Sequence, residues 1–456
     1  MTFDPRDPSF YDGAALDAEL ERVFDICHGC RMCFNYCPSF PALLDAVDAH
    51  EERGEGEVKA LTTAEKWRVV DLCYQCKLCY VKCPYTPPHE FMVDFPRLML
   101  RAKATRARRE GVTRQDKLLG DPDRIARRST GAAAPLVNWA NGQKALRGVL
   151  ESTAGIHRDR VLPPFARETF ARWFARTRTA APASAGREVV LFETCAVGYN
   201  YPHIGAAAVQ VLEHNGLHVV RPADRCCGMP ALDGGDVAAA TAMARTNVDA
   251  LLPWVERGVP VVAIGPTCSY TMKQEWPGLL GTAAAKAVAS HVLDVGEFLA
   301  REHAVRRLRT DFVRPQGKLA YHVPCHLRAQ NIGAPFATLL GLVPDTPVEP
   351  IERCSAFDGT WGMKREYYEL SRTYARKLTR ALADADATRL VSDCPLAGLN
   401  VTEELGVTPA HPIEVLRDAY GLAAPIAPAE NVWPGGAAAR CGRDACAGGW
   451  CKRSPA

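Results

Sequence analysis

The sequence predicts two unlike parts: a mostly helical N-terminal part with two runs of closely spaced cysteines, then an α/β half made of two duplicated cysteine-rich units. Three observations carry that prediction. The 18 cysteines fall largely into regular spacings. The chain after Gly186 resembles itself in two consecutive stretches. Within each stretch, short β-branched runs alternate with helical segments, as in α/β units with mostly parallel strands.

At 456 residues the chain is long enough for two or three domains. Hydrophobic residues at 47% and charged residues at 23% put it among ordinary globular proteins. A net charge of +3 is small for this length and points away from nucleic acid and from a strongly acidic partner. The opening MTFDPRDPSFYDG has no basic region followed by an apolar run. No stretch approaches the roughly 18 consecutive apolar residues that span a bilayer. The expectation is a cytoplasmic protein, with peripheral attachment at the inner face of the cell membrane left open. In that compartment, dense and regularly spaced cysteines read as metal ligands rather than disulfides.

The first part, residues 1–100, rests on two motifs. Cys27, Cys30, Cys33 and Cys37 precede Pro38; Cys73, Cys76, Cys79 and Cys83 precede Pro84. Both runs read C-x2-C-x2-C-x3-C-P, the spacing of bacterial two-cluster ferredoxins. Three thiolates two residues apart can wrap one face of a cubane, and the fourth is carried away by the turn that proline starts. Zinc sites favour paired C-x2-C knuckles instead. In the two-cluster pattern the fourth cysteine of each run ligates the other cluster. One [4Fe–4S] cluster is therefore assigned to Cys27, Cys30, Cys33 and Cys83, and a second to Cys73, Cys76, Cys79 and Cys37. The long segment between the runs has helix-like apolar spacing at both ends, so this ferredoxin-like part should be mostly helical.

Residues 101–186 form a basic helical connector. RAKATRARREGVTRQDK is dense in Arg and Lys, and FARETFARWFARTR interleaves aromatics with arginines at helical spacing. The plain expectation is a helical linker packed on its neighbours; the sharper one is an amphipathic surface for a membrane or a membrane-bound partner. TAAPASAG closes the segment as a linker-like run.

The two cysteine-rich units span residues 187–310 and 311–423. REVVLFETC ends in Cys195 and GKLAYHVPC in Cys325; PVVAIGPTC ends in Cys268 and TRLVSDCP holds Cys394. Between them come Cys226-Cys227-Gly228 in the first unit and Cys354-Ser355 in the second. SHVLDVGEFL then matches AHPIEVLRDAY, setting His291 opposite His411. Sites in open α/β sheets lie beyond the carboxyl ends of the strands. Three segments of each unit can thus converge on one point. Seven cysteines at matched positions read as ligands of one or two further iron–sulfur clusters rather than as isolated buried thiols.

The Cys…Cys-Cys-Gly…Cys repeat resembles the cysteine-rich (CCG) domains of heterodisulfide reductase. Joined to the ferredoxin motifs, it resembles the subunits of heterodisulfide reductase and of anaerobic glycerol-3-phosphate dehydrogenase in which both features meet. It is also similar to the iron–sulfur subunits of glycolate and lactate oxidation. The resemblance runs from Cys27 to Tyr420 and is strongest in CSAFDGTWGMK (Cys354 to Lys364), SDCPLAGLNV (Ser392 to Val401) and HPIEVL (His411 to Leu416). It implies ligation by Cys195, Cys226, Cys227 and Cys268 in the first unit and by Cys325, Cys354 and Cys394 in the second. The full family motif ends in C-x2-C. Here Thr271 and Ala397 stand at the second Cys positions, and Ser355 replaces half of the Cys pair. Disulfide reduction, which uses five thiolates, is therefore in question, and the second unit is degenerate. His322, His326 and His411 are further candidate ligands.

No G-x-G-x-x-G follows a strand and no P-loop is present. Oxidation of a substrate would then fall to a partner, a flavoprotein dehydrogenase, with a quinone or redox protein as acceptor. The leading expectation is an electron-transfer subunit. The alternatives are a disulfide or quinone reductase at the CCG cluster and a non-enzymatic redox or oxygen sensor. The tail, residues 424–456, is rich in Ala, Pro and Gly and carries Cys441, Cys446 and Cys451 at a spacing that matches no known motif.

Overall fold

A computed structural model describes residues 4–177, 187–222 and 225–429. The TAAPASAG linker lies outside the described residues, and so do the three tail cysteines.

The N-terminal part is helical throughout. Helix α1 (Gly13–Cys30) is capped by Asp12, whose carboxylate accepts from the Ala15 N–H at 2.6 Å, and buries Leu16, Leu20, Val23 and Phe24. It stops at Arg31, whose left-handed φ of 55° turns the chain back through the first cysteine run. Helix α2 (Ser39–Glu52) starts after Cys37-Pro38 and faces the same core with Phe40, Leu43 and Val47. Helix α3 (Thr63–Leu72) begins with a capping box between Thr62 and Glu65. Gln75 and Lys77, both at positive φ, then coil the second run into α4 (Leu78–Lys82). Helix α5 (Phe95–Glu110) runs unbroken through position 100 and lies largely buried; even Arg101 and Lys103 are covered.

The connector folds as α6 (Arg114–Gly120), α7 (Pro122–Ser129), α8 (Ala134–Asn141), α9 (Lys144–Ala154) and α10 (Phe170–Thr177). In α10 the aromatics Phe170 and Trp173 point inward to the first α/β unit's core, so for this helix packing wins over a surface role. Buried Arg147 donates to the carbonyls of His157, Arg158 and Arg160. Buried Arg160 in turn bonds Asn400 and Glu403, fastening the connector to the second unit.

The first unit holds a four-stranded parallel sheet of β1 (Arg187–Phe192), β2 (Leu217–Val220), β3 (Val261–Ala263) and β4 (Val292–Asp294), in the order β2-β1-β3-β4. The second holds β5 (Leu319–His322), β6 (Val348–Ile351) and β7 (Arg389–Ser392), parallel, in the order β6-β5-β7. Where a fourth strand would pair, only the bridge Val391 to Ala410 remains. β1, β3 and β5 are almost wholly buried, as strands covered on both faces are. Strand order reverses between β1 and β3 and between β5 and β7, which opens a crevice at the carboxyl end of each sheet. One core runs across both sheets, through Leu191, Val262, Tyr321 and Val391. Among the described residues, no helix is long and apolar enough to cross a membrane.

Candidate metal centre

The ferredoxin-like runs interleave. Cys27, Cys30, Cys33 and Cys83 line one small pocket of about 30 Å³. Burial, then the charges of Cys33, Cys83 and Cys30, push the Cys27 thiol far up; Cys33 is pushed to about 12 by burial and by Cys83 and Cys30. Cys37 sits instead with the second run. Burial, then Cys73 and Cys76, raise its thiol well above the usual range. Cys79 is raised by burial and then by Cys76, Cys73, Cys37 and Cys33. Burial and mutual repulsion keep the shifted thiols protonated unless a positive charge sits among them, and a metal centre would supply that charge and take them as thiolates. Nearby cations and dipoles favour negative sulfur: Gln75 Nε2 donates to Cys73 Sγ at 3.3 Å, and Lys103 Nζ donates to the Cys73 carbonyl at 3.2 Å.

The two α/β units face a common cavity of about 110 Å³. Cys195, Cys226, Cys227 and Cys268 line one wall, and Cys325 and Cys394 the other. The strands explain why. Cys195 and Cys325 open the helices Cys195–Tyr199 and Cys325–Ala329 that follow β1 and β5. Cys268 and Cys394 follow β3 and β7 across each strand-order reversal. Cys226 and Cys227 are pinned from three sides. The Cys226 N–H donates to Asp123 Oδ2 at 2.8 Å, Asn247 Nδ2 donates to the Cys226 carbonyl at 3.1 Å, and Trp276 Nε1 donates to the Cys227 carbonyl at 2.9 Å. In this group Cys227 is the thiol that ionises first. Hydrogen bonds from Cys226 and Cys268, helped by Thr271, pull it well below the usual thiol range, while Cys226 and Cys268 rise. Thr271, at the position of the missing cysteine, is fully buried and donates to the Thr267 carbonyl at 2.7 Å.

The second unit is arranged differently. Cys354 Sγ lies 3.3 Å from the Tyr74 hydroxyl of the ferredoxin-like part and remains a neighbour of Cys325. The Ala356 N–H donates to the same sulfur at 3.2 Å, and the Ala397 N–H donates to Cys394 Sγ at 3.4 Å. Cys325 is raised by burial and then by Cys354, Cys76, Asp358 and Cys394, so these groups are neighbours. The four cysteine groups therefore follow one another. Cys33 acts on Cys79, Cys354 on Cys76, and Cys394 on Cys268.

The candidate histidines are otherwise engaged. His322 meets Ser392 Oγ at 2.9 Å and the Arg353 carbonyl at 3.1 Å, using both ring nitrogens. His326 meets Thr267 Oγ1 and the Gln75 carbonyl, each at 2.9 Å, and so ties all three cysteine-bearing parts together. Burial lowers both rings to about 4, so they are neutral at ordinary pH. His411 caps the helix Pro412–Ala419 through Nδ1, while its buried Nε2 makes no hydrogen bond among the described residues.

Several site residues were not among the ligand candidates read from the sequence, although Asp358, Trp361 and Asp393 lie within segments where the resemblance is strongest. Asp233, Asp358 and Asp393 also line the cavity. Lys77 and Glu275 form a fully covered ion pair at 3.4 Å between the ferredoxin-like part and the first unit, with Arg97 3.6 Å from the other carboxylate oxygen. Trp361 of the second unit donates to the Asp71 carbonyl at 3.0 Å and packs edge-on against Tyr74.

Comparison with known proteins agrees with this division. The citrate utilization protein B Fer4-like domain matches residues 18–110, and the cysteine-rich (CCG) domain matches twice, at 189–273 and 319–401. A subunit of the anaerobic glycerol-3-phosphate dehydrogenase of Escherichia coli K12 is 29% identical over 290 residues, 63% of this chain and 72% of that protein. Lactate utilization protein A of Bacillus pumilus is 32% identical over 188 residues, 39% of this chain and 75% of that protein. A subunit of the fumarate reductase (CoM/CoB) of Methanothermobacter marburgensis is 25% identical, with 48% of this chain matching 42% of that protein.

Proposed function

The chain belongs to the family of CCG-domain iron–sulfur proteins that includes lactate utilization protein A and the matching subunit of anaerobic glycerol-3-phosphate dehydrogenase, and from that premise we propose that it is the electron-transfer subunit of an oxidoreductase complex. The observation that carries the reading is the unbroken succession of four cysteine groups from an outer ferredoxin-like pocket to the cavity between the α/β units. The donor sets fit the cofactor: clustered, buried thiols with amide donors aimed at sulfur are what iron–sulfur clusters take.

Two [4Fe–4S] clusters are held by Cys27, Cys30, Cys33 and Cys83 and by Cys73, Cys76, Cys79 and Cys37. Cys195, Cys226, Cys227 and Cys268 hold a third cluster, and Cys325, Cys354 and Cys394 a fourth. When bound, the clusters store and pass single electrons, and the protein sets their spacing and potential. A flavoprotein dehydrogenase subunit is the partner at the outer pocket. Met32 and Phe34 stand 63% and 51% exposed beside those ligands, with Phe91 and Met92 nearby, an apolar surface next to the cluster nearest to solvent. A quinone or redox protein accepts the electrons. The membrane contact is made by α8 and α9, which expose Leu136, Trp139, Leu146 and Val149 with the exposed cations Arg128 and Lys144 close in sequence. Trp139→Glu should abolish flotation with vesicles containing anionic lipid; unchanged flotation would move the contact elsewhere.

The experiment that tests the main reading is purification without oxygen and a count of iron and acid-labile sulfide per chain. About twelve to sixteen irons support clusters in the α/β units, four irons each. About eight would limit the clusters to the ferredoxin-like part and overturn the relay through the cavity.

A further inference from the structure

The second unit offers one thiol fewer than a cluster needs, and Asp358 stands beside the gap. Cys354 is followed by Ser355, where the first unit has a second cysteine. Ser355 is neutral at ordinary pH, and its chain is fixed by Asn400 Nδ2, which donates to the Ser355 carbonyl at 2.7 Å. Three residues on, Asp358 lines the same cavity wall as Cys325 and Cys394. Its carboxylate has no hydrogen-bond or ion-pair partner among the described residues.

The backbone carries Asp358 there at some cost. Ala356, Asp358 and Gly359 have φ of 51°, 41° and 45°, so the loop after Cys354 coils back on itself. Two non-glycine residues at positive φ within three positions are unusual and mark a loop shaped for a ligand. The coil also aims the Ala356 N–H at Cys354 Sγ, as amide nests do around anionic clusters. The charge of Asp358 is felt at Cys325, Cys354 and Cys394, and also at Cys73 and Cys76 of the ferredoxin-like part. Among the other donors at this wall, His326 uses both ring nitrogens, whereas Asp393 gives one carboxylate oxygen to the Tyr321 hydroxyl and keeps a buried, unpartnered Oδ1, so Asp393 is the competing donor.

We propose that the Asp358 carboxylate is the fourth protein ligand of the second unit's cluster, completing the set of Cys325, Cys354 and Cys394. The inference rests on the reading of that unit as cluster-bearing. An aspartate restores the single negative charge of the missing thiolate. Its harder oxygen holds iron less firmly than sulfur does, so the iron it binds is the one most readily lost.

Full-length protein purified without oxygen provides the test, with iron count and low-temperature electron paramagnetic resonance as readouts. Cys325→Ala reports on the cluster itself and should lose about four irons per chain. Asp358→Asn should lose between about one and four irons and change only the second unit's signal. Asp358→Cys should keep the full iron count with a shifted signal, which separates lost ligation from misfolding. Asp393→Asn and Ser355→Ala should keep both iron and signal. If Cys325→Ala loses iron while Asp358→Asn keeps iron and signal unchanged, the ligand assignment is wrong and the cluster stands. If Cys325→Ala loses none, the cluster reading fails and the assignment falls with it.

Discussion

In the first α/β unit four thiols close on one another in the crevice of a four-stranded sheet. The second unit offers three thiols beside a three-stranded sheet, and one of them faces the ferredoxin-like part. The scaffolds are otherwise parallel. Each fixes the chain at its central cysteine with a buried asparagine, Asn247 on the Cys226 carbonyl and Asn400 on the Ser355 carbonyl. Each asparagine or its neighbour is reached by the connector, through Asp123 in one case and Arg160 in the other. The difference therefore lies in the ligands and not in the frame. The first unit's cysteines share a core with Phe10, Leu100 and Ala104 but with no cysteine of the N-terminal part, whereas the second is a junction that shares a core with those cysteines.

The largest effect should come from emptying the first unit. Cys227→Ala removes the thiol that ionises first in its group and should lower iron by about four per chain while leaving the ferredoxin-type signals intact. If the iron of the second unit were lost as well, the two units would share one cluster across the cavity, and the comparison would break there.

Next comes the ion pair that locks the first unit to the ferredoxin-like part. Glu275→Ala leaves the Lys77 ammonium covered and without its carboxylate, and should cost roughly 3–5 kcal/mol in urea unfolding. The pH dependence has a definite sign. Burial alone would raise the Glu275 carboxyl, but Lys77 and Arg97 outweigh it and hold it below the ordinary value. A depressed carboxyl contributes stability above its unfolded value of about 4.3, which is lost as pH falls through the native one. Wild type should therefore lose stability more steeply than Glu275→Ala below about pH 4. Parallel acid-unfolding curves would place the attachment elsewhere.

How much of this was legible follows the same contrast. Both cysteine runs, and the cysteines waiting at the ends of β1, β3, β5 and β7, were readable because ligand spacing and β-branched runs are local patterns. The absent cysteines, at Thr271, Ser355 and Ala397, were readable only against the motif of the family that the sequence resembles. The junction was not. Tyr74 meets Cys354 from 280 positions away, and nothing in either segment's periodicity encodes that meeting. Surface and core stripes were equally hard to separate. The aromatics of α10 have helical spacing and turn inward, whereas Leu136 with Trp139 and Leu146 with Val149 have the same spacing and turn outward. Helical periodicity says that a face exists and not what covers it.

The smallest effect should sharpen the junction itself. The Tyr74 hydroxyl donates to the Tyr36 carbonyl at 2.7 Å and lies 3.3 Å from Cys354 Sγ, while its ring packs on Trp361 at 5.1 Å. Tyr74→Phe keeps the ring contact and removes both polar links, to the Tyr36 carbonyl and to Cys354 Sγ, each worth about 1 kcal/mol in unfolding. The midpoint potential moves by the difference in the strength of the Cys354 link between the two cluster states, about 40 mV for each 1 kcal/mol of difference at one electron. Redox titration should find any such shift in the second unit and the adjoining ferredoxin-type cluster, with the first unit unmoved. No hydroxyl of the N-terminal part plays the same role beside Cys226 or Cys227 among the described residues. A shift confined to the first unit would mean that the path between the halves does not run through Cys354.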